Sequence, residues 1–243
     1  MNLFKYLLDR LTEDRFNCLF CGDEMPPDAH GLCAECLKKI EKNNGPKCPK
    51  CSRPVYLADT YCDFCRDFHY DFDSAYAPLL YEGNCAELIK YSKFYGKRYV
   101  YKYLVEYLCE SKKFDCDVVC AVPDYGKRRK SFAYLLAKRY AERNGVAYEE
   151  LLIKTRETEK QHKLGKHERL KNLKGAFAAV DKNSIRGRKI LIIDDVLTTG
   201  ATMSECAAAL KKGKPESVCC LCLAVTPQKP EHGMVADDGQ GES

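Results

Sequence analysis

The chain has 243 residues, with 40 Lys or Arg against 35 Asp or Glu, a formal charge of +5. That length holds one sizeable α/β domain plus a small module. The mild basicity permits contact with phosphates or nucleic acid without requiring it. No run of 18 apolar residues occurs, which excludes an integral hydrophobic membrane helix.

Residues 1–17 are expected to form a short amphipathic helix, with Leu3, Phe4, Leu7, Leu8 and Leu11 at helical spacing. The charges at Lys5, Asp9, Arg10, Glu13, Asp14 and Arg15 do not fit a signal peptide. The expected location is therefore cytoplasmic.

Residues 18–67 hold four CxxC pairs: Cys18/Cys21, Cys33/Cys36, Cys48/Cys51 and Cys62/Cys65. Each pair starts 14 or 15 residues after the one before it, so the segment is a repeat of small knuckles. Eight thiolates supply two tetrahedral zinc sites. In a reducing compartment, zinc explains this pattern better than disulfides do. Sequential pairing, first with second and third with fourth, is preferred; a cross-brace remains open. Cys21-Gly22 supplies a tight knuckle turn, and Leu37–Lys42 is expected to be a short helix. Lys38, Lys39, Lys42, Lys47, Lys50 and Arg53 are expected on a solvated face, with nucleic acid or a partner protein as the alternative.

From about residue 70 to 227, helices and strands alternate, which implies a parallel sheet flanked by helices. Strands are expected at Ala75–Tyr81, Asp117–Val122, Val146–Ile153, Lys189–Ile193 and Ser217–Val225. Helices are expected at Asn84–Phe94, Lys97–Ser111, Lys130–Asn144 (stopped by Gly145) and Met203–Lys212. The charged stretch Lys154–Lys174 reads as a mobile loop. Residues 228–243 read as a disordered tail.

The most informative stretch runs from Ile190 to Thr202. An apolar strand leads into Asp194-Asp195, and Leu197-Thr198-Thr199-Gly200-Ala201-Thr202 follows, opening a helix. Carboxylates at the C-terminal end of a parallel strand lie where open α/β sheets place ligands. The loop Thr198, Thr199, Gly200, Ala201 and Thr202 can wrap a phosphate with backbone N–H groups and hydroxyls. Acceptors opposite a phosphate cradle suit a sugar phosphate.

This segment resembles the ribose-phosphate loop of type I phosphoribosyltransferases. Together with the cysteine module, the chain from residue 18 to about 227 resembles the ComF family of competence-associated proteins. Tyr81-Glu82-Gly83 and Lys93-Phe94-Tyr95-Gly96 are similar to two of its elements. So are Arg156-x-Thr158-x-x-Gln161 and Arg169-x-x-Asn172-x-x-Gly175-Ala176-Phe177, and so is Val122-Pro123 followed by a basic run and Phe132. The resemblance implies a type I phosphoribosyltransferase-like α/β fold and a site for phosphoribosyl pyrophosphate with Mg2+. Asp194 and Asp195 would hold the ribose hydroxyls. Arg156, Lys154, Gln161 and Arg169, with the turn at Pro123-Asp124, would meet the pyrophosphate. Lys130-Ser131-Phe132-Ala133-Tyr134 stands where the family carries Arg-Gly-Phe-Asn-Gln, and this departure bears on turnover.

Three functions follow from the resemblance. The first is phosphoribosyl transfer to a nitrogen acceptor. The second is binding of nucleotide or single-stranded DNA without turnover, with the aromatic and basic residues of Lys90–Tyr107 as a strand-binding stripe. The third is a zinc-dependent adaptor for a competence helicase. The family's link to natural transformation connects all three with DNA uptake.

Overall fold

The computed structural model describes residues 17–25, 31–94, 98–125, 131–158 and 172–228. The expected N-terminal helix, the residues Gln161 and Arg169, most of the charged loop and nearly all of the expected tail lie outside the described residues.

One parallel sheet organises the chain. Its strands are β1 (Ser74–Tyr76), β2 (Leu79–Leu80), β3 (Val118–Ala121), β4 (Ala147–Tyr148), β7 (Lys189–Leu197) and β8 (Ser217–Val225), in the order β1-β8-β7-β3-β4, with β2 also on β8. A separate antiparallel pair joins β5 (Leu152–Lys154) to β6 (Phe177–Ala179). The helices are α1 (Ala34–Lys38), α2 (Asp63–Asp67), α3 (Gly83–Phe94), α4 (Arg98–Ser111), α5 (Phe132–Asn144) and α6 (Ala201–Lys211). The central strands β7 and β8 read as near-continuous apolar runs because both of their faces are covered.

Side-chain alternation along the strands splits the core in two. Val118, Cys120, Ile190, Ile192, Cys220 and Cys222 face α6. Val119, Ala121, Leu191, Ile193, Leu221 and Leu223 face α3, α4 and α5. The cysteine module straddles this division. Cys18 and Cys36 join the core on the α3–α5 face, whereas Cys48, Cys51 and Cys62 join the core on the α6 face.

Several elements depart from the sequence reading. The run Ala75–Tyr81 forms two short strands, because Pro78 has no N–H to continue the ladder; its carbonyl accepts from the Asn43 N–H at 2.8 Å. The run Val146–Ile153 divides between two sheets. Glu149 leaves β4 to make a two-pronged ion pair with Arg188, at 2.9 and 2.8 Å. The second knuckle's helix begins inside the CxxC pair and ends at Lys38, four residues before the expected end at Lys42; Cys33 is its N-cap, its sulfur accepting from the Cys36 N–H. α5 ends as expected on Gly145, whose φ of 67° is left-handed. Among the described residues, no helix is long and apolar enough to cross a membrane.

Candidate functional site

The eight CxxC cysteines close into two groups, Cys18/Cys21/Cys33/Cys36 and Cys48/Cys51/Cys62/Cys65, so the pairing is sequential. Within each group the sulfurs lie within 4.8 Å of one another. Cys21 and Cys33 are 3.6 Å apart, and Cys51 and Cys62 3.4 Å. Four thiolates at about 2.3 Å from one zinc ion sit roughly 3.8 Å apart, so both groups fit a tetrahedral metal. In the first group, the Cys33 N–H donates to the Cys18 sulfur at 3.4 Å. Gly22 takes the left-handed turn at φ 78°. The equivalent residue of the third knuckle, Ser52, takes the same turn at φ 62°, held through its carbonyl by the Asn43 side-chain amide at 2.8 Å.

The second group is linked through Arg53 to Thr198, which lines a cleft of about 350 Å³. The cleft forms where β3 and β7 part. β3 pairs with β7 as far as Ala121 opposite Ile193, and then turns at Pro123. β7 does not stop there. β8 still pairs with it from Asp194 opposite Cys222 to Leu197 opposite Val225. Asp194 and Asp195 therefore lie within β7, not beyond its end as the sequence suggested, and their β3 side is open.

Adjacent strand residues face opposite sides. Asp195 points toward α3, where the Lys93 ammonium lies 2.5 Å from its Oδ2. Asp194 is walled in on the other side. Burial first, and then the neighbouring Asp195, push its carboxyl up to about 8. Burial works against the Lys93 cation, but Asp195 outweighs it and leaves the lysine above its ordinary value.

The other walls come from several elements. Tyr81 and Lys93 contribute from the α3 side, and Val122, Pro123 and Asp124 from the turn after β3. Ser131, Phe132 and Ala133 come from the start of α5, and Lys154, Leu173 and Phe177 from the β5–β6 arm. Ser131 caps α5, accepting from the Tyr134 N–H at 3.1 Å. The segment that departs from the family motif thus borders the cleft directly. Lys154 donates to the Thr158 hydroxyl at 2.8 Å, and burial lowers its pKa.

The chain thus joins a double cysteine cluster to a parallel α/β sheet with a carboxylate-lined cleft. The phosphoribosyl transferase domain model matches residues 130–238, and the double zinc ribbon domain model matches residues 8–66. The chain is 26% identical to Competence protein F of Haemophilus influenzae, over 81% of this chain and 91% of that one. It is 25% identical to the DNA utilization protein YhgH of Salmonella typhimurium, over 86% and 96%. It is 28% identical to Competence protein ComFC of Bacillus subtilis, over 83% and 91%. The chain is a homologue of these ComF-type competence and DNA utilization proteins. Among solved structures, a glutamine phosphoribosylpyrophosphate amidotransferase from B. subtilis matches with a TM-score of 0.38 and 22% identity, over 51% of this chain and 26% of that one.

The loop after β7 is held from behind. Gly200, at φ 87°, precedes α6. A Cβ there would meet Tyr70 Cε1 at 2.9 Å, so only glycine fits. Tyr70 donates its hydroxyl to the Thr199 carbonyl at 2.5 Å, and the Arg53 guanidinium donates to the Thr198 carbonyl. Thr198 and Thr202 line the cleft. Thr199 is buried, its hydroxyl accepting from the Ala201 N–H at 3.3 Å.

Arg156 is not among the cleft-lining residues. Its guanidinium donates to the carbonyls of Asn172, at 2.7 Å, and Lys174, at 3.1 Å, tying together the two ends of segment 159–171.

The largest correction concerns Arg53. The expected surface cation is completely buried. It donates to the Cys51 sulfur at 3.1 Å, and its guanidinium carbon lies 4.1 Å from the centre of the Phe64 ring. Tyr103 and Tyr107, expected as part of a strand-binding stripe, are half-buried against the core, with their rings 6.2 Å apart. Sequence reasoning did not single out Tyr70, and it noted Ser131 only within the segment that departs from the family motif. Lys93 was noted only within a family element, and nothing local in the sequence pairs it with Asp195.

Proposed function

We propose that this chain binds phosphoribosyl pyrophosphate with Mg2+ in the cleft, as part of a role in DNA uptake, in keeping with the competence and DNA utilization named for its relatives. The observation that carries this reading is the cleft itself. A carboxylate pair and a glycine-containing helix-start loop meet at the C-terminal ends of β3 and β7, in a cleft that Lys93 and Lys154 also line. Asp194 and Asp195 accept the ribose hydroxyls. Thr198 and Thr202 offer hydroxyls, and Thr199 and Gly200 offer the backbone N–H groups that receive the 5-phosphate, while the Ala201 N–H is held by the Thr199 hydroxyl. Pro123-Asp124 and Lys154 border the pyrophosphate end. Arg156 holds the base of the segment that carries Gln161 and Arg169, and that segment supplies further positive charge.

The donor set suits magnesium. Asp194, Asp195 and Asp124 present hard carboxylate oxygens, and the raised pKa of Asp194 marks a place short of positive charge even with Lys93 present. Bound Mg2+ would neutralise pyrophosphate and ribose oxygens. The reaction that such a site serves is displacement of pyrophosphate from C1 by a nitrogen nucleophile. The two four-cysteine clusters hold structural zinc. We assign residues 18–67 to the zinc unit and 70–227 to the phosphoribosyl unit.

Calorimetric titration of zinc-replete protein with phosphoribosyl pyrophosphate and Mg2+ tests this reading. The expected result is binding that disappears in the Asp194→Asn/Asp195→Asn double variant. No binding to folded wild-type protein would overturn it and shift weight to single-stranded DNA or helicase contacts. Pyrophosphate release in a screen of nitrogen acceptors scores turnover separately.

A further inference from the structure

Arg53 is a cation with no access to water. A buried guanidinium needs an anionic partner and hydrogen-bond acceptors, or its burial is strongly unfavourable. Its described acceptors lie in two separate places. One is the sulfur of Cys51, a member of the second four-cysteine group. The other is the carbonyl of Thr198, 145 residues along the chain, at the head of the loop after β7. Phe64, between Cys62 and Cys65 of the same four-cysteine group, covers the guanidinium.

Four thiolates around one zinc ion carry a net double negative charge, so the loaded second cluster is the counter-charge that Arg53 requires. Because a trans peptide is planar, with C=O and N–H pointing opposite ways, anchoring the Thr198 carbonyl to Arg53 points the Thr199 N–H away from the ribbon. Tyr70 does the same for the Gly200 N–H through the Thr199 carbonyl. Phosphate loops work by presenting such amides in fixed directions.

We propose that Arg53 is a positioning residue that couples the second cysteine cluster to the 5-phosphate loop, so that the metal-loaded ribbon sets the amide directions on which phosphate binding depends. The first cluster, packed on the opposite face of the sheet, has no comparable contact with this loop among the described residues. This inference rests on the phosphoribosyl reading above.

Two probes separate the halves of the site. Ribose 5-phosphate engages the loop, and magnesium pyrophosphate engages the opposite end. In full-length, zinc-loaded Arg53→Met, affinity for ribose 5-phosphate should fall roughly tenfold or more, the scale of one hydrogen bond to a charged donor, while magnesium pyrophosphate binds as in wild type. Arg53→Lys keeps the charge without the two-pronged geometry and should fall between the two.

Equal loss of both probes, or loss of neither, would overturn the coupling and leave the phosphoribosyl reading standing. Failure of wild-type protein to bind either probe would remove both. If Arg53→Met does not fold, cobalt-substituted wild type decides. Ribose 5-phosphate should shift the cobalt–thiolate absorption through the Arg53–Cys51 contact, and an unchanged spectrum on saturation would sink the proposal.

Discussion

Lys93 on α3 and Asp195 on β7 form an ion pair across the mouth of the cleft, Nζ to Oδ2 at 2.5 Å. The side chains are only 29% and 13% exposed. The pair is therefore shielded more than a surface salt bridge, and removing one partner leaves a charge poorly compensated. It also places a cation where a magnesium or sugar ligand would seek the Asp195 oxygens.

Replacing Lys93 with Met should therefore act in two directions. Unliganded stability should fall by about 1–3 kcal/mol, the cost of leaving a half-buried carboxylate unpaired. Mg2+ should then stabilise the variant more than it stabilises wild type, because the metal no longer competes with an ammonium. Urea denaturation with and without Mg2+ measures both effects. A variant that Mg2+ stabilises less than wild type would mean that Lys93 cooperates with the metal instead of competing with it.

The cysteine framework was legible in the sequence because ligand spacing is local. Four CxxC pairs predict two four-thiolate sites; the spacing left a cross-brace open beside the preferred sequential closure, which the fold then selects. β8 was legible for a similar reason, since Ser217–Val225 is an apolar run with turns on both sides. What the sequence did not show are relationships between distant segments. Arg53 reads as one more surface cation until Thr198, 145 residues away, folds against it. The carboxylate pair looked like the end of a strand because polarity changes at Asp194. Its continuation to Leu197 depends on β8 still offering partners after β3 has turned away, which is a property of neighbours and not of the run itself.

The Asp194–Asp195 pair gives the site a pH dependence of fixed sign. The folded protein holds a proton on Asp194 up to about pH 8, whereas an unfolded chain releases it in the ordinary carboxylate range. Between those limits the native state binds more protons than the unfolded state, so unliganded stability contributed by this group declines as pH rises toward 8. A cationic ligand needs the carboxylate, so affinity for Mg2+ with phosphoribosyl pyrophosphate should change the opposite way. It should rise between pH 6 and 8, with release of up to about one proton per ligand bound. Calorimetry in buffers of different ionisation enthalpy counts that proton. The slope should vanish in Asp194→Asn, and an undiminished slope there would assign the proton to another group.

The two metal clusters should also part company under chelation. Cys48, Cys51 and Cys62 are buried, with Cys51 fully enclosed and Arg53 against it, whereas Cys21 of the first cluster is exposed. Ligand exchange requires access to the sulfur or the metal, so a chromophoric chelator should remove the first zinc rapidly. The second should leave only as fast as the sheet face covered by Phe64 and Tyr70 opens. Zinc release should follow two phases of equal amplitude. Cys21→Ser should abolish the fast phase with a small loss of stability, whereas Cys51→Ser should unfold the protein or lower its melting temperature much further. A single phase would mean that the clusters share one opening event, and the ribbon would then behave as one cooperative unit despite gripping opposite faces of the sheet.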